Sequence, residues 1–301
     1  MTRARRMKRW FAAAGLFLAV VLTGGAVALA QGQPVVEVHR VDEGHFTAAP
    51  GAPIFIMVLG VDGRPGIDSD RADAIHIIGV NPAAGSATIL DIPRDTWVPI
   101  PGRGSSKIND AYTFGGADLQ ARTIQQFVGV DVRYVITTTF ASFPRMVDEI
   151  GGISLNIPQP MHDKFSGSNF DPGTRQMNGG ETFAFVRDRH SFNDGDIDRT
   201  GNQGAVILAA LTRLRSQGVT ASNVFKWLGI LGRGTKITGG ATVIDLYRLG
   251  RLGLSIDPAK VRNVVMPAGT GNVGAASVVF PAAGAASLFA DFKDDAVLQA
   301  H

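Results

Sequence analysis

The sequence predicts an α/β fold: one domain built on a central, largely buried β-sheet with helices on both faces. Three observations predict it. Short apolar runs rich in β-branched residues alternate with segments of helical periodicity from residue 54 to residue 292. The runs are nearly continuous in their hydrophobicity, as strands covered on both faces are. The chain of 301 residues, 45% hydrophobic and 18% charged, is ample for a single core of about 250 residues, and having no cysteine it needs no disulfide.

The elements follow in order. Residues 1–9 are a basic segment expected on the cytoplasmic side, with Arg3, Arg5, Arg6, Lys8 and Arg9. Residues 10–30 are uncharged and apolar, enough for a helix to span a bilayer. Small residues at Ala28-Leu29-Ala30 would suit a cleaved signal peptide, whereas the length of the run favours an uncleaved signal-anchor. Either way the body, residues 51–301, is expected outside the cell membrane, after a polar linker at 31–50. IFIMVLG (54–60), IHIIGV (75–80) and ATILDIP (87–93) read as strands, the last two joined by a turn at Asn81-Pro82 with Gly85. A helix is expected at 117–128, a strand at 132–139, a helix at 140–150 stopped by Gly151-Gly152, and a strand at 153–157. Residues 158–178 read as a loop. Helices are expected at 179–187, 198–215, 220–232 and 241–253, a strand at 261–267 and a last helix at 282–292.

Charge excludes one class of function. The whole chain is net +3, but five cations and no acid fall in the first 30 residues, leaving 24 cations against 26 carboxylates in the rest. A body of net −2 gives no general attraction to nucleic acid, so any arginine cluster in it needs a local reason.

Three polar groups interrupt the apolar frame: Asp62, Arg71 and Asp73; Arg94 and Asp95, followed by Lys107; and Arg187, Arg189, Arg199 and Gln203. In an open α/β sheet the ligand crevice lies beyond the carboxyl ends of the strands, and Asp62 and Arg94 each fall just past one. Gathered cations repel one another unless a polyanion lies between them, and Arg matches phosphate oxygens bidentately. Two carboxylates among these cations make sense if Mg²⁺ bridges Asp62 and Asp73 to phosphate, since Mg²⁺ favours one or two carboxylates plus phosphate oxygens. The ligand so inferred is a metal-bound diphosphate. Arg199 and Gln203, four residues apart, share a helix face. Arg187 and Arg189 diverge on a regular helix and can share a ligand only where the helix has ended.

The segments LGVDGR, DRADA, DIPRDTWVPIPG, KINDAY, GG at 115–116, DEIGGI, LNIP, NGGETFAFVRDR and DIDRTGNQ resemble, in that order, the LytR–CpsA–Psr (LCP) family. Each motif alone is weak, but nine in order over residues 54–215 are specific. The resemblance implies an LCP-like catalytic domain with a mixed central sheet. It implies a membrane-anchored, extracytoplasmic enzyme of bacterial cell envelopes that transfers a glycopolymer from a polyprenyl-diphosphate carrier to peptidoglycan. It implies Asp62 and Asp73 as ligands of Mg²⁺ (Mn²⁺ being the other candidate), with Arg71, Arg94, Lys107, Arg187, Arg189, Arg199 and Gln203 around the diphosphate. Asp95, beside Arg94, is the candidate base. One departure is Ala72, where many members carry Ser; the lost hydroxyl should alter a supporting hydrogen bond rather than the reaction.

Other features read as structural. His76 alternates with apolar residues in a strand and reads as a core or edge residue; Asn109 is expected to order its loop; Trp97 and Trp227 are expected to pack, and Trp10 to sit at a membrane interface. The glycine-rich tracts 234–240 and 269–274 lack the strand–GxGxxG–helix context of a nucleotide site, and no GxSxG elbow occurs. Two competing functions share the site: a hydrolase that uses water as acceptor, and a non-catalytic module that sequesters polyprenyl diphosphates.

Overall fold

The structure, a computed structural model, describes residues 36–41, 52–62, 71–218 and 235–299. Its frame is a seven-stranded mixed sheet. At its centre β2 (Ile54–Val61) runs parallel to β7 (Val132–Thr139) and antiparallel to β3 (Ala72–Asn81), which pairs with β4 (Ser86–Asp91). The β3–β4 turn is where the sequence places it: Asn81 Oδ1 accepts from the Ala84 amide (3.0 Å), and Gly85 takes a φ of +61°. Strand β13 (Val261–Val265) adds parallel to β4, closing one edge. The other edge is β1 (Val36–Arg40), antiparallel to β7, followed by β12 (Thr235–Thr238), parallel to β1.

Helices cover both faces. Against one face lie α1 (Asp110–Val128) and α6 (Ala285–Asp295), around a core of Phe55, Met57, Leu59, Ile75, Ile77, Leu90, Ile124 and Phe292. Phe55 and Phe292 meet edge-on at 5.2 Å. The other face carries α4 (Asp196–Ser216) and α5 (Val243–Ser255), with Ile78, Val80, Ala87, Leu211 and Leu252 between them and the sheet. A satellite core holds α2 (Phe143–Glu149), β8 (Ile153–Ile157) and α3 (Gly179–Arg187), through Val147, Ile153, Leu155, Phe185 and Val206. Gly151 and Gly152, at φ +80° and +73°, follow α2 as expected. A capping box between Asn178 and Glu181 starts α3.

The structure departs from the sequence reading in several places. Residues 31–50 are not all linker, because Val36 and Val38 turn inward and make β1 part of the sheet. The expected loop at 158–178 contains β9 (Met161–Asp163) paired with β10 (Ser168–Phe170), and β11 (Gly173–Met177) paired with β8. Strands of three residues are too short to show a period, and β11 (GTRQM) is exposed except at Met177. Helix α1 starts at Asp110 rather than 117, because Gly115 and Gly116 (φ −162° and +61°) kink it and hide its first turns from the periodicity. The glycine-rich tract at 269–274 belongs to a hairpin, β14 (Ala268–Val273) with β15 (Ala276–Pro281). The segments expected at 1–30 and 220–232, with Trp10 and Trp227, lie outside the described residues. Among the described residues, no helix is long and apolar enough to cross a membrane.

Candidate active site

Topology gathers the candidate residues. Because β3 is antiparallel to β2 and β4, its first residues lie at the same rim of the sheet as the last residues of β2 and β4. Asp62 follows β2, Arg71 and Asp73 straddle the start of β3, and Arg94 comes three residues after β4. Val61 pairs with Ala72, so the two aspartates flank a single cross-strand pair. The turn bearing Arg94 is fixed by Thr96, whose amide (3.1 Å) and hydroxyl (2.5 Å) both donate to the Pro93 carbonyl. Ala72 itself is fully buried in the apolar core.

A cleft of about 570 Å³ opens at this rim, lined by Asp62, Arg71, Asp73, Arg94, Asp95 and Lys107, together with Trp97, Ser106, Asn109, Asp110 and Ala276. Six of the ten predicted site residues thus share one cavity. Arg94 donates to Asp73 at 2.5 Å, Lys107 pairs with Asp95 at 3.1 Å and Arg71 with Asp110 at 3.3 Å. Lys107 reaches Asp95 because β5 (Trp97–Ile100) and β6 (Gly104–Lys107) form a hairpin that returns the chain to Trp97. Trp97, expected to pack, lines the cleft, and so does Asn109, whose side chain makes no capping bond to α1.

Arg94 is also the hinge to a second cluster. Its Nε lies 3.7 Å from Asp196 Oδ1, and that same oxygen is 3.5 Å from Arg189 Nε and 2.7 Å from Arg199 Nη2. Neither carboxylate oxygen makes a well-angled hydrogen bond, so charge rather than alignment holds this group. Asp196 is a residue of this cluster that the sequence reading did not single out. Its signal was the DxxR spacing to Arg199 in the first turn of a helix, where an acid is favoured by the helix dipole.

The electrostatics follow from burial. Burial works against the Arg94 charge, but Asp73 and Asp196 outweigh it and hold the guanidinium above its ordinary value. Arg199 goes the other way: burial, reinforced by the cations of Arg94 and Arg189 and opposed by Asp196, pushes it down to about 10. It stays charged at neutral pH, yet the site holds more positive charge than one carboxylate satisfies, and an entering anion would relieve it.

The remaining predicted residues lie beside this centre. Helix α3 ends at Arg187, and Asp188 is extended (φ −63°, ψ 127°), so the condition for Arg187 and Arg189 to face a common ligand is met. Arg187 nonetheless lies over the Phe183 ring (5.0 Å) and is not among the residues that line the cleft. Gln203 donates to the Val186 carbonyl (3.3 Å), tying α4 to α3, and leaves its buried Oε1 without a hydrogen-bond partner.

These elements define an α/β domain on a mixed sheet, one rim of which gathers aspartates and guanidiniums. The chain belongs to the LytR_cpsA_psr family, whose model matches residues 26–289. It is 36% identical over 167 residues to a polyisoprenyl-teichoic acid–peptidoglycan teichoic acid transferase, TagU, of Oceanobacillus iheyensis, an alignment covering 54% of this chain and 51% of that protein. The chain therefore spans about half the length of the curated relatives it matches. In fold it is similar to a LytR-Csp2A-Psr enzyme from Actinomyces oris (TM-score 0.66, 23% identity, 87% of this chain and 96% of that one). It is also similar to the family protein YwtF (TagT) solved with bound octaprenyl pyrophosphate lipid (TM-score 0.63, 20% identity, 86% and 97% covered).

Proposed function

We propose that this protein transfers a phosphorylated glycopolymer from a polyprenyl-diphosphate carrier to a hydroxyl of peptidoglycan, at the outer face of the cell membrane, held there by residues 10–30. The observation that carries the proposal is Arg94, shared between the aspartate-lined cleft and the guanidinium cluster around Asp196. A diphosphate placed there would meet cations from both sides. The names of the relatives point the same way, since TagU is a teichoic acid transferase and the TagT structure holds a polyprenyl pyrophosphate.

Asp62 and Asp73 offer oxygen donors only, the chemistry of Mg²⁺ or Mn²⁺ rather than of zinc. Two carboxylates do not fill the shell of such an ion, so water and phosphate oxygens would complete the coordination, which is the habit of Mg²⁺. The bound ion would supply Lewis-acid stabilisation of the phosphate oxygens. In the reaction, the acceptor hydroxyl oxygen forms a bond to the phosphorus that carries the glycopolymer. The bond from that phosphorus to the bridging oxygen breaks, and polyprenyl phosphate leaves. Arg94, Arg189 and Arg199 neutralise the charge developing on the leaving phosphate. Asp95, held by Lys107, is the candidate to take the hydroxyl proton. No nucleotide is required, because the diphosphate is already activated. Phe140 and Phe143, each set against Phe183 beside Arg187 and all three half-buried, are suited to the start of the isoprenoid chain.

Incubating the full-length protein with a polyprenyl-diphosphate glycan, Mg²⁺ and peptidoglycan oligomers tests the proposal. Glycan linked to peptidoglycan is the expected product. Release of glycan phosphate alone would make the protein a hydrolase, and binding without turnover would make it a sequestering module.

A further inference from the structure

A buried polar group lies on the α4 side of the sheet, away from the cleft. His76 of β3 and Asp91 of β4 are cross-strand partners, 2% and 0% exposed, with His76 Nδ1 2.6 Å from Asp91 Oδ1. Beside them Asn263 of β13 donates from its side-chain nitrogen to the Gly201 carbonyl of α4 (3.1 Å). Helix α4 meets this group through glycines. A Cβ on Gly204 would fall 2.5 Å from Asp91 Oδ1 and would also collide with Asn263, and one on Gly201 would touch Val265 at 3.0 Å. The helix therefore rests directly on these polar side chains, and its height above the sheet is set by them.

That height matters because of what the neighbouring positions carry. Arg199 precedes Gly201 by two residues, Gln203 immediately precedes Gly204, and Asp196 opens the same helix. Asp91 is three residues before Arg94 and accepts at its carbonyl from Met266 (3.0 Å), so the same residue ties down the segment that leads to Arg94. We propose that His76, Asp91 and Asn263 are positioning residues that seat the first turns of α4 on β3, β4 and β13 and thereby hold Asp196, Arg199 and Gln203 opposite Arg94. The proposal deepens the diphosphate reading and rests on it. Apolar side chains of similar size could fill this space at less desolvation cost, but they would not fix one helix register. Buried hydrogen-bonded pairs are directional, and displacing a binding residue by as little as 1 Å is enough to weaken a preorganised site.

The test compares His76→Leu, which removes the donor, with His76→Asn, whose side-chain N–H can stand near the place of Nδ1. Two readouts are taken on the full-length protein: hydrogen exchange of peptides covering 196–204, and affinity for inorganic pyrophosphate with Mg²⁺ by calorimetry. His76→Leu should speed exchange in 196–204 while leaving the central strand at 54–61 protected, and weaken pyrophosphate by about tenfold. His76→Asn should restore both. If His76→Leu does not fold, Asn263→Ala, which removes the bond to the Gly201 carbonyl, takes its place in the comparison. Faster exchange with unchanged affinity would overturn the proposal, because the group would then dock the helix without positioning the site; wild-type values in both readouts would overturn it as well. Failure of the wild type itself to bind pyrophosphate would instead strike at the diphosphate reading, with docking still reported by exchange.

Discussion

Replacing Asp196 by asparagine removes one negative charge and almost nothing else. In the wild type its carboxylate, with a side chain 12% exposed, lies within 3.7 Å of nitrogens of Arg94, Arg189 and Arg199, and the Arg199 side chain is 9% exposed. Removing one partner of a buried ion pair costs about 3–5 kcal/mol, because the other charge is left uncompensated. The residual exposure here argues for about 3 kcal/mol, which for a domain of this size lowers Tm by roughly 6–12 °C. The effect on anion binding should have the opposite sign. Two like charges about 4 Å apart repel by up to about 4 kcal/mol near a protein surface, so removing the carboxylate takes away a penalty on an entering phosphate. Affinity for pyrophosphate should rise by about tenfold, or about 1.4 kcal/mol. Consequently the gap in Tm between Asp196→Asn and wild type should narrow as pyrophosphate is added. Differential scanning calorimetry with and without pyrophosphate reads both effects. A variant that melts with the wild type would refute the idea that Asp196 compensates buried guanidiniums, and a parallel loss of stability and affinity would refute the idea that it occupies the anion's place.

Other consequences can be measured with the same material. Arg94→Ala should lower kcat/KM for glycan transfer by about 10²–10³-fold, because it removes the cation shared by both halves of the site; a loss confined to KM would place its role in ground-state binding. Asp73→Asn should raise the Mg²⁺ concentration needed for half-maximal activity by about 10-fold or more, while pyrophosphate affinity in EDTA changes little; equal loss of both would argue against metal ligation. Stability should fall as pH rises from about 4 to 6 through Asp91, whose carboxyl burial pushes up to about 6 against the pull of His76, so that ionising it at neutral pH costs about 3 kcal/mol. Asp163 and Asp245 act in the opposite sense: burial pushes each up, but several hydrogen bonds together, from His190, Phe165 and Ser166 to the one and from Thr242 and Tyr134 to the other, hold both below the ordinary range, and their stabilisation is lost only as pH drops below about 4. Denaturant midpoints of wild type and Asp91→Asn between pH 4 and 7 separate the two windows, since the substitution should flatten only the upper one. Gly79→Ala should cost about 1–3 kcal/mol by overpacking, as its Cβ would lie 2.7 Å from Phe292 and 2.8 Å from Ala296; an unchanged Tm would show that α6 is free to shift.

What could be read from the sequence divides along a physical line. Asp62, Asp73 and Arg94 were legible because each stands at the end of an apolar strand, and strand ends at one rim of a sheet must converge. The cleft's floor was harder, since Trp97 and Asn109 reach it through the β5–β6 hairpin and a kinked helix start, neither of which leaves a periodic trace. Asp196 shows the limit most sharply. It is one of three acids, Asp194, Asp196 and Asp198, at alternate positions of one glycine-containing segment, and its DxxR spacing to Arg199 alone does not place it among the other guanidiniums. Only the seating of α4 decides which carboxylate turns toward the guanidiniums. That seating depends in turn on Gly204 lying against Asp91 and on Asn263 bonding Gly201, contacts that join residues more than 55 positions apart. His76 was read from its strand pattern as a core or edge residue, and in burial it is a core residue. Periodicity reports how deeply a side chain is buried but carries no information about its partner, and for a polar side chain inside a sheet the partner determines the role.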